Sequence, residues 1–223
     1  MSEKRRSLPR YNDISVVNDT LGGVDAVVKA AQRVFEQANH DTLLSELLNR
    51  NALEQYITQW ANNHDPHSAF YLAVVDLNDF KRVNDLHGHL VGNEVLADVA
   101  KIMTDSFRRK DEIVARVGGD EFVIFLPVEE ATDLQEREPL SAEAVQRYIL
   151  ATLYEARDEK VLESIEATAI AEVGFSVGVK RYLAIDTAGV PLDELLAGPD
   201  ALMYEDKTRQ KQQLESKVEP AVQ

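Results

Sequence analysis

Arg116-Val117-Gly118-Gly119-Asp120-Glu121-Phe122-Val123-Ile124-Phe125-Leu126-Pro127 is the stretch on which the reading of this chain turns. Two β-branched and aromatic runs, 114–117 and 122–126, flank a glycine pair, and glycine tolerates the positive φ angles of a tight reversal. A β-hairpin is the expected result. Its tip carries Asp120 and Glu121 directly after two residues without side chains, so a large ligand can approach the backbone close to both carboxylates. That makes the tip a candidate phosphate or metal site. The plainer alternative is a Gly-Asp turn whose acids are merely solvated.

A second acidic element lies upstream. Phe70-Tyr71-Leu72-Ala73-Val74-Val75 is a nearly continuous apolar run, as expected of a strand buried on both faces, and it leads into Asp76-Leu77-Asn78-Asp79-Phe80-Lys81. Asp76 therefore falls where a central strand leaves its sheet. If that strand lies beside the hairpin, Asp76 and Asp120 converge at one edge. Two carboxylates and a carbonyl such as that of Leu77 are hard oxygen donors suited to Mg²⁺, which keeps waters and takes further ligands from substrate phosphates. Nucleotidyl transfer needs that arrangement, because a divalent ion activates an attacking hydroxyl and neutralises the leaving pyrophosphate.

At these residues the chain resembles the GGDEF-domain diguanylate cyclases. Gly118 to Phe122 is the signature intact, and Asp76 to His89 is similar to the family's D-x-D-x-F-K-x-x-N-D-x-x-G-H segment, with Asn78 in place of the second Asp. Leu44-Ser45-Glu46-Leu47-Leu48-Asn49-Arg50 resembles the L-T-x-L-x-N-R segment, Phe175 to Val179 the late S-x-G strand, and Pro199 to Lys207 the A-D-x-A-L-Y-x-A-K helix. The likeness runs from about Leu44 to Lys211. It implies an α/β fold, an α+β sandwich with a single mostly antiparallel five-stranded sheet flanked by helices, like the palm of polymerases and class III nucleotide cyclases.

The resemblance also implies a function. Two GTP molecules condense to cyclic di-GMP and two pyrophosphates, with Mg²⁺ or Mn²⁺ as cofactor, in a homodimer in which each protomer holds half of the reaction. Asp76, the Leu77 carbonyl and Asp120 are the implied metal ligands, and Asp120 and Glu121 the catalytic acids. Asn84 and Asn93 stand at the guanine edge, while Phe80, Lys81, Lys207 and Lys211 surround the rest of the substrate. Arg109 and Glu112 occupy the register of a product-binding inhibitory R-x-x-D motif, with an acid one methylene longer. Asn93 replaces an Asp. A carboxylate accepts from both N1-H and the 2-amino group of guanine, whereas an amide also presents donors and discriminates less sharply against adenine. A mixed-specificity cyclic dinucleotide synthase is therefore one alternative, and a non-catalytic nucleotide-binding module is another.

Composition narrows the field. The chain has 223 residues, enough for one domain with a sizeable core and a short extension. Division at 1–41, an arm with an amphipathic helix, 42–212, the catalytic domain, and 213–223, a polar tail, fits the pattern. The amphipathic helix rests on Val24, Val27, Val28, Ala31, Val34 and Phe35. A net charge of −15 argues against extended nucleic acid binding, since phosphate backbones are held by Lys and Arg. A single nucleotide remains compatible, because the local field at a site outweighs the sum. No run is long enough for a membrane span and the start is polar, so no membrane association and a cytoplasmic location are expected. With no cysteine, disulfides and thiol catalysis are excluded.

Further elements follow from periodicity. Leu53, Tyr56, Ile57 and Trp60 mark a helix over about 51–61. Val95, Leu96, Val99, Ile102, Met103 and Phe107 mark another over about 92–108. The stretch 141–166 reads as largely helical, with the charges of 155–159 forming either a solvated face or a break. Alternation over 169–179 predicts a strand, 193–209 a last helix, and the sequence after Lys211 a frayed end.

Overall fold

The computed structural model describes residues 39–44, 47–128, 140–163 and 167–218. The predicted amphipathic segment over 24–37 lies outside the described residues. Five strands form one sheet in the order β1-β3-β4-β2-β5. These are β1 (Leu48–Asn49), β2 (Ala69–Asn78), β3 (Ile113–Arg116), β4 (Glu121–Pro127) and β5 (Gly174–Leu183). Every pairing is antiparallel except the short β1 with β3. The predicted hairpin is β3 and β4, with Arg116 opposite Phe122.

β2 lies between β4 and β5, which explains its uninterrupted apolar run: a strand covered on both faces has no solvated side to alternate with. Its odd-numbered residues Tyr71, Ala73, Val75 and Leu77 join one core. There they meet α3 (His89–Ser106), through Val95, Leu96, Val99 and Met103, and α4 (Ala142–Glu163), through Val145, Ile149 and Leu153. The even-numbered Phe70, Leu72 and Val74 join a second core with Leu53, Ile57 and Trp60 of α1 (Arg50–Asn63) and Leu195, Leu196 and Met203 of α5 (Leu192–Val218). Helices therefore cover both faces, as the resemblance implies.

Several boundaries differ from the sequence reading. Phe80–His87 forms a short helix, α2, that the periodicity did not reveal, and Gly88, at φ 85°, turns the chain into α3. A residue with a Cβ is strained in that conformation. α4 runs unbroken through the charges of 155–159, so the solvated face is the correct alternative. The expected early part of the last strand is instead a 3₁₀ segment, Ala167–Glu172, and β5 begins only at Gly174. α5 continues to Val218, past the point where fraying was expected. It also runs through Pro199, whose missing N–H leaves the Leu195 carbonyl without its helical donor. The Tyr182 hydroxyl of β5 donates to that carbonyl.

α5 crosses β5 at unusually short range. A Cβ built on Gly178 would lie 2.0 Å from the Pro199 carbonyl oxygen and 2.2 Å from the Met203 nitrogen, so the two backbones meet directly. Beyond the crossing, the buried Asp206 accepts from the Val177 N–H (3.2 Å), and Gln210 donates to the Phe175 carbonyl (3.0 Å). Asn78, at the end of β2, donates to Gln210 (3.1 Å). These bonds fix the part of α5 that carries Lys207.

Candidate active site

Strand alternation places Asp76 on the α5 face of β2, and the β2–β4 register puts Glu121 directly opposite it. Like charges facing each other across a sheet are destabilising unless something compensates them. Asp120 adds a third acid at the same edge, where its carbonyl accepts from the Leu77 N–H (3.3 Å). The predicted convergence of the strand end and the hairpin tip is thus observed. Asp200, on the exposed side of α5, adds its charge to the group. Burial raises the Asp76 carboxyl above the ordinary range, Lys207 opposes this through its hydrogen bond and charge, and Asp120 and Asp200 raise it again. Glu121 is likewise raised, by burial first and then by Asp200, Asp76 and Asp120.

Lys207 forms an ion pair with Asp76. It borders a cleft of about 540 Å³ together with Leu77, Phe80, Lys81 and Asp120. Asp79 also lines the cleft and takes a left-handed backbone, φ 62°, at the start of α2. That conformation is uncommon outside glycine and turns the chain out of β2 into the helix that carries Lys81 and Asn84.

The hairpin tip corrects one expectation. Neither Gly118 nor Gly119 has a positive φ. Val117 donates to the Glu121 carbonyl (3.0 Å), so three residues make the reversal, and it does not need the mirror-image angles of a two-residue turn. The glycines serve space instead. A Cβ on Gly118 would lie 2.9 Å from a Glu121 carboxylate oxygen, while Gly119 is exposed with nothing within 4 Å, leaving its backbone open to a ligand.

Arg116 braces this loop, a role the sequence reading did not assign although the residue stands in the decisive stretch. Its Nε and Nη2 donate to the Gly119 carbonyl (3.1 and 2.7 Å), and its Nη1 donates to Asp41 (3.0 Å). Asp41 resists burial by accepting from the Leu44 and Leu43 amides and pairing with Arg116, which together hold its carboxyl below the ordinary range. Asp200 also went unassigned. It stands within the quoted 199–207 motif, and only the crossing of α5 over the sheet brings it near the acids.

The remaining predicted residues fall in three places. Asn84 lies against Gly92, where an added Cβ would sit 2.0 Å from its side-chain oxygen, and Asn93 is exposed at the next position of α3. Both residues thus belong to the α2–α3 joint. Lys211 is exposed one turn beyond Lys207 on α5. Arg109 and Glu112 sit together in the loop before β3, away from the strand-end acids in sequence, and the Glu112 carboxylate accepts from the Arg109 backbone N–H (2.8 Å). In this structure that acid closes its own turn.

The donor set fits a hard divalent cation. Among the described residues no ready-made cluster of three His, Cys, Asp or Glu ligands is present. Mg²⁺, however, uses one or two carboxylates and completes its shell with water and phosphate oxygens. The mutual repulsion of Asp76, Asp120 and Glu121, which the single ammonium of Lys207 offsets only in part, is the observation that favours a cation there.

Comparison with known proteins agrees with this fold. A family model described as "Diguanylate cyclase, GGDEF domain" matches residues 38–213. The diguanylate cyclase DgcP of Pseudomonas aeruginosa is 42% identical over 93 residues, covering 41% of this chain and 13% of that protein. The cyclic di-GMP phosphodiesterase PdeR of Escherichia coli is 38% identical over 96 residues, covering 43% of this chain and 14% of that protein. The match thus spans a small part of either relative, and their names differ in activity. The solved coiled coil and GGDEF domain of DgcB from Caulobacter crescentus, in complex with c-di-GMP, shares the fold at a TM-score of 0.65 and 23% identity, covering 87% of this chain and 93% of that one. With the sheet order, the acidic strand end and the family match in agreement, this chain belongs to the GGDEF domain family.

Proposed function

We propose that this protein is a diguanylate cyclase, condensing two GTP into cyclic di-GMP and two pyrophosphates. The observation that carries the reading is the pairing of Asp76 with Glu121 across β2 and β4, with Asp120 beside them and Lys207 facing them from α5. Asp76, the Leu77 carbonyl and Asp120 would hold Mg²⁺, or Mn²⁺ in its place. The ion supplies charge neutralisation at the triphosphate and a lowered pKa at a bound hydroxyl.

The protein's own groups do the remainder. Lys81 and Lys207, which both line the cleft, neutralise phosphate oxygens, and Lys211 adds charge as a point cation without the bidentate fork of Arg. Gly119 lets the triphosphate lie against the loop backbone. The raised Glu121 and the adjacent Asp120 stand where a nucleotide 3′-hydroxyl loses its proton. Phe80, Asn84 and Asn93 orient the nucleoside. Each 3′-oxygen bonds to the α-phosphorus of the partner nucleotide and pyrophosphate departs, so two protomers must meet face to face.

A second reading rests on Asn93. Its exposed amide, at a helix position next to the Gly92 that Asn84 packs against, supports relaxed base selectivity and some cyclic GMP-AMP. Competing GTP with ATP and separating the products by mass distinguishes the two. For the main reading, incubation with GTP and Mg²⁺ is expected to yield cyclic di-GMP. Asp120→Ala is expected to abolish turnover with its melting temperature retained, and an active variant would refute the assignment. Product feedback through Arg109 and Glu112 is tested by loss of product inhibition in Arg109→Ala.

A further inference from the structure

We propose that Lys207 is the resident counter-ion of Asp76 in the nucleotide-free protein, and that a divalent ion gains this carboxylate only when polyphosphate oxygens draw the ammonium away. The inference rests on the metal and nucleotide reading above and adds to it an order of events. Asp76 is nearly enclosed, its side chain 11% exposed, and its ion pair is with Lys207, which remains 42% exposed toward the cleft. An ammonium and a divalent ion repel each other at one carboxylate, so the two occupants compete. Lys81 lines the same cleft, yet among the described residues it forms no ion pair with Asp76.

The exchange needs only a side-chain rotation. The α5 backbone around Lys207 is held by Asp206 on Val177 and by Gln210 on Phe175 and Asn78. The ammonium therefore swings on a fixed helix between the Asp76 carboxylate and the open cleft where a triphosphate would lie. Free metal is held off, metal and polyphosphate enter together, and by linkage each raises the affinity of the other.

The test is Mn²⁺ titration of the full chain without nucleotide, with free Mn²⁺ read by electron paramagnetic resonance. Lys207→Met, and independently Lys207→Gln, are expected to bind Mn²⁺ about tenfold more tightly than wild type, whereas Lys207→Arg and Lys81→Met stay within about twofold. Asp76→Asn is expected to lose this Mn²⁺ site in either background. Inorganic pyrophosphate is expected to tighten Mn²⁺ binding more in wild type than in Lys207→Met. Because the key readout is a gain in affinity, an unfolded variant cannot imitate it. Unchanged or weaker Mn²⁺ binding in both Lys207 variants, with the Asp76 dependence intact, overturns the counter-ion role and leaves the metal site standing. Equal tightening by Lys81→Met also overturns it, assigning the effect to the general field. If no form binds Mn²⁺ and Asp76→Asn changes nothing, the metal site itself fails and this proposal with it.

Discussion

Gly178→Ala probes the contact on which the geometry of the site depends. The added methyl would lie 2.0 Å from the Pro199 carbonyl oxygen and 2.2 Å from the Met203 nitrogen. Both are backbone atoms of one helical turn, so no rotamer change can relieve the clash, and α5 must retreat by more than an ångström. Overpacking against backbone sits at the upper end of the range for such changes, about 3 kcal/mol. For a domain of this size that corresponds to a melting temperature lower by roughly 10 °C. Urea unfolding is the assay, with an unchanged slope showing that the loss is in stability and not in the surface exposed. Met203 precedes Lys207 by one turn, so the retreat also carries the ammonium back from the cleft where it would meet the triphosphate, and weaker GTP binding is expected alongside the lost stability. Unfolding free energy within about 0.5 kcal/mol of wild type, the scale of ordinary surface substitutions, would refute the reasoning.

Tyr182 is pushed up to about 12 by burial, from an ordinary value of 10.0. Between these values the folded protein keeps a proton that the unfolded chain releases, so stability falls as pH rises through that window. Tyr182→Phe is expected to cost about 1–2 kcal/mol at neutral pH, because the Leu195 carbonyl loses its donor. The gap to wild type should stay constant up to about pH 9 and narrow as pH rises from about 10 toward 12 in urea titrations, and a gap constant through that window counts against the assignment. Arg116→Ala removes the brace on Gly119 and leaves Asp41 unpaired in a largely enclosed position, with an expected loss of about 3 kcal/mol. Turnover should fall with KM little changed, and Arg116→Lys should not restore it, since a Lys cannot span both partners. Gly119→Ala meets open space and should change stability by less than about 0.5 kcal/mol. Gly119→Val is expected to raise KM for GTP by crowding the loop; an unchanged KM would mean that the triphosphate lies elsewhere.

The chemistry-bearing stretches were legible because each is local. Phe70 to Asp76 declares a buried strand ending in an acid, and Gly118 to Phe122 declares a reversal with acids at its tip; periodicity and turn composition act over a few residues. The helices α1 and α3 were readable for the same reason, and α2 escaped because eight residues hold barely two helical turns. The glycine pair shows the limit of local reasoning. Its composition invites a positive-φ turn, but the three-residue loop needs none, and space around Glu121 and the open loop backbone explain the glycines instead.

What the sequence by itself determined is therefore the inventory: strands buried on both faces, an acid at the exit of one and two more at a hairpin tip, and lysines at positions similar to those of the family. Only the tertiary structure decided the partnerships. Strand register sets Asp76 opposite Glu121, and the crossing of α5 at Gly178 delivers Lys207 to one acid and Asp200 to the neighbourhood of Asp76 and Glu121. Residues more than a hundred positions apart meet through packing, and packing depends on which faces the remaining elements bury, which no local pattern encodes.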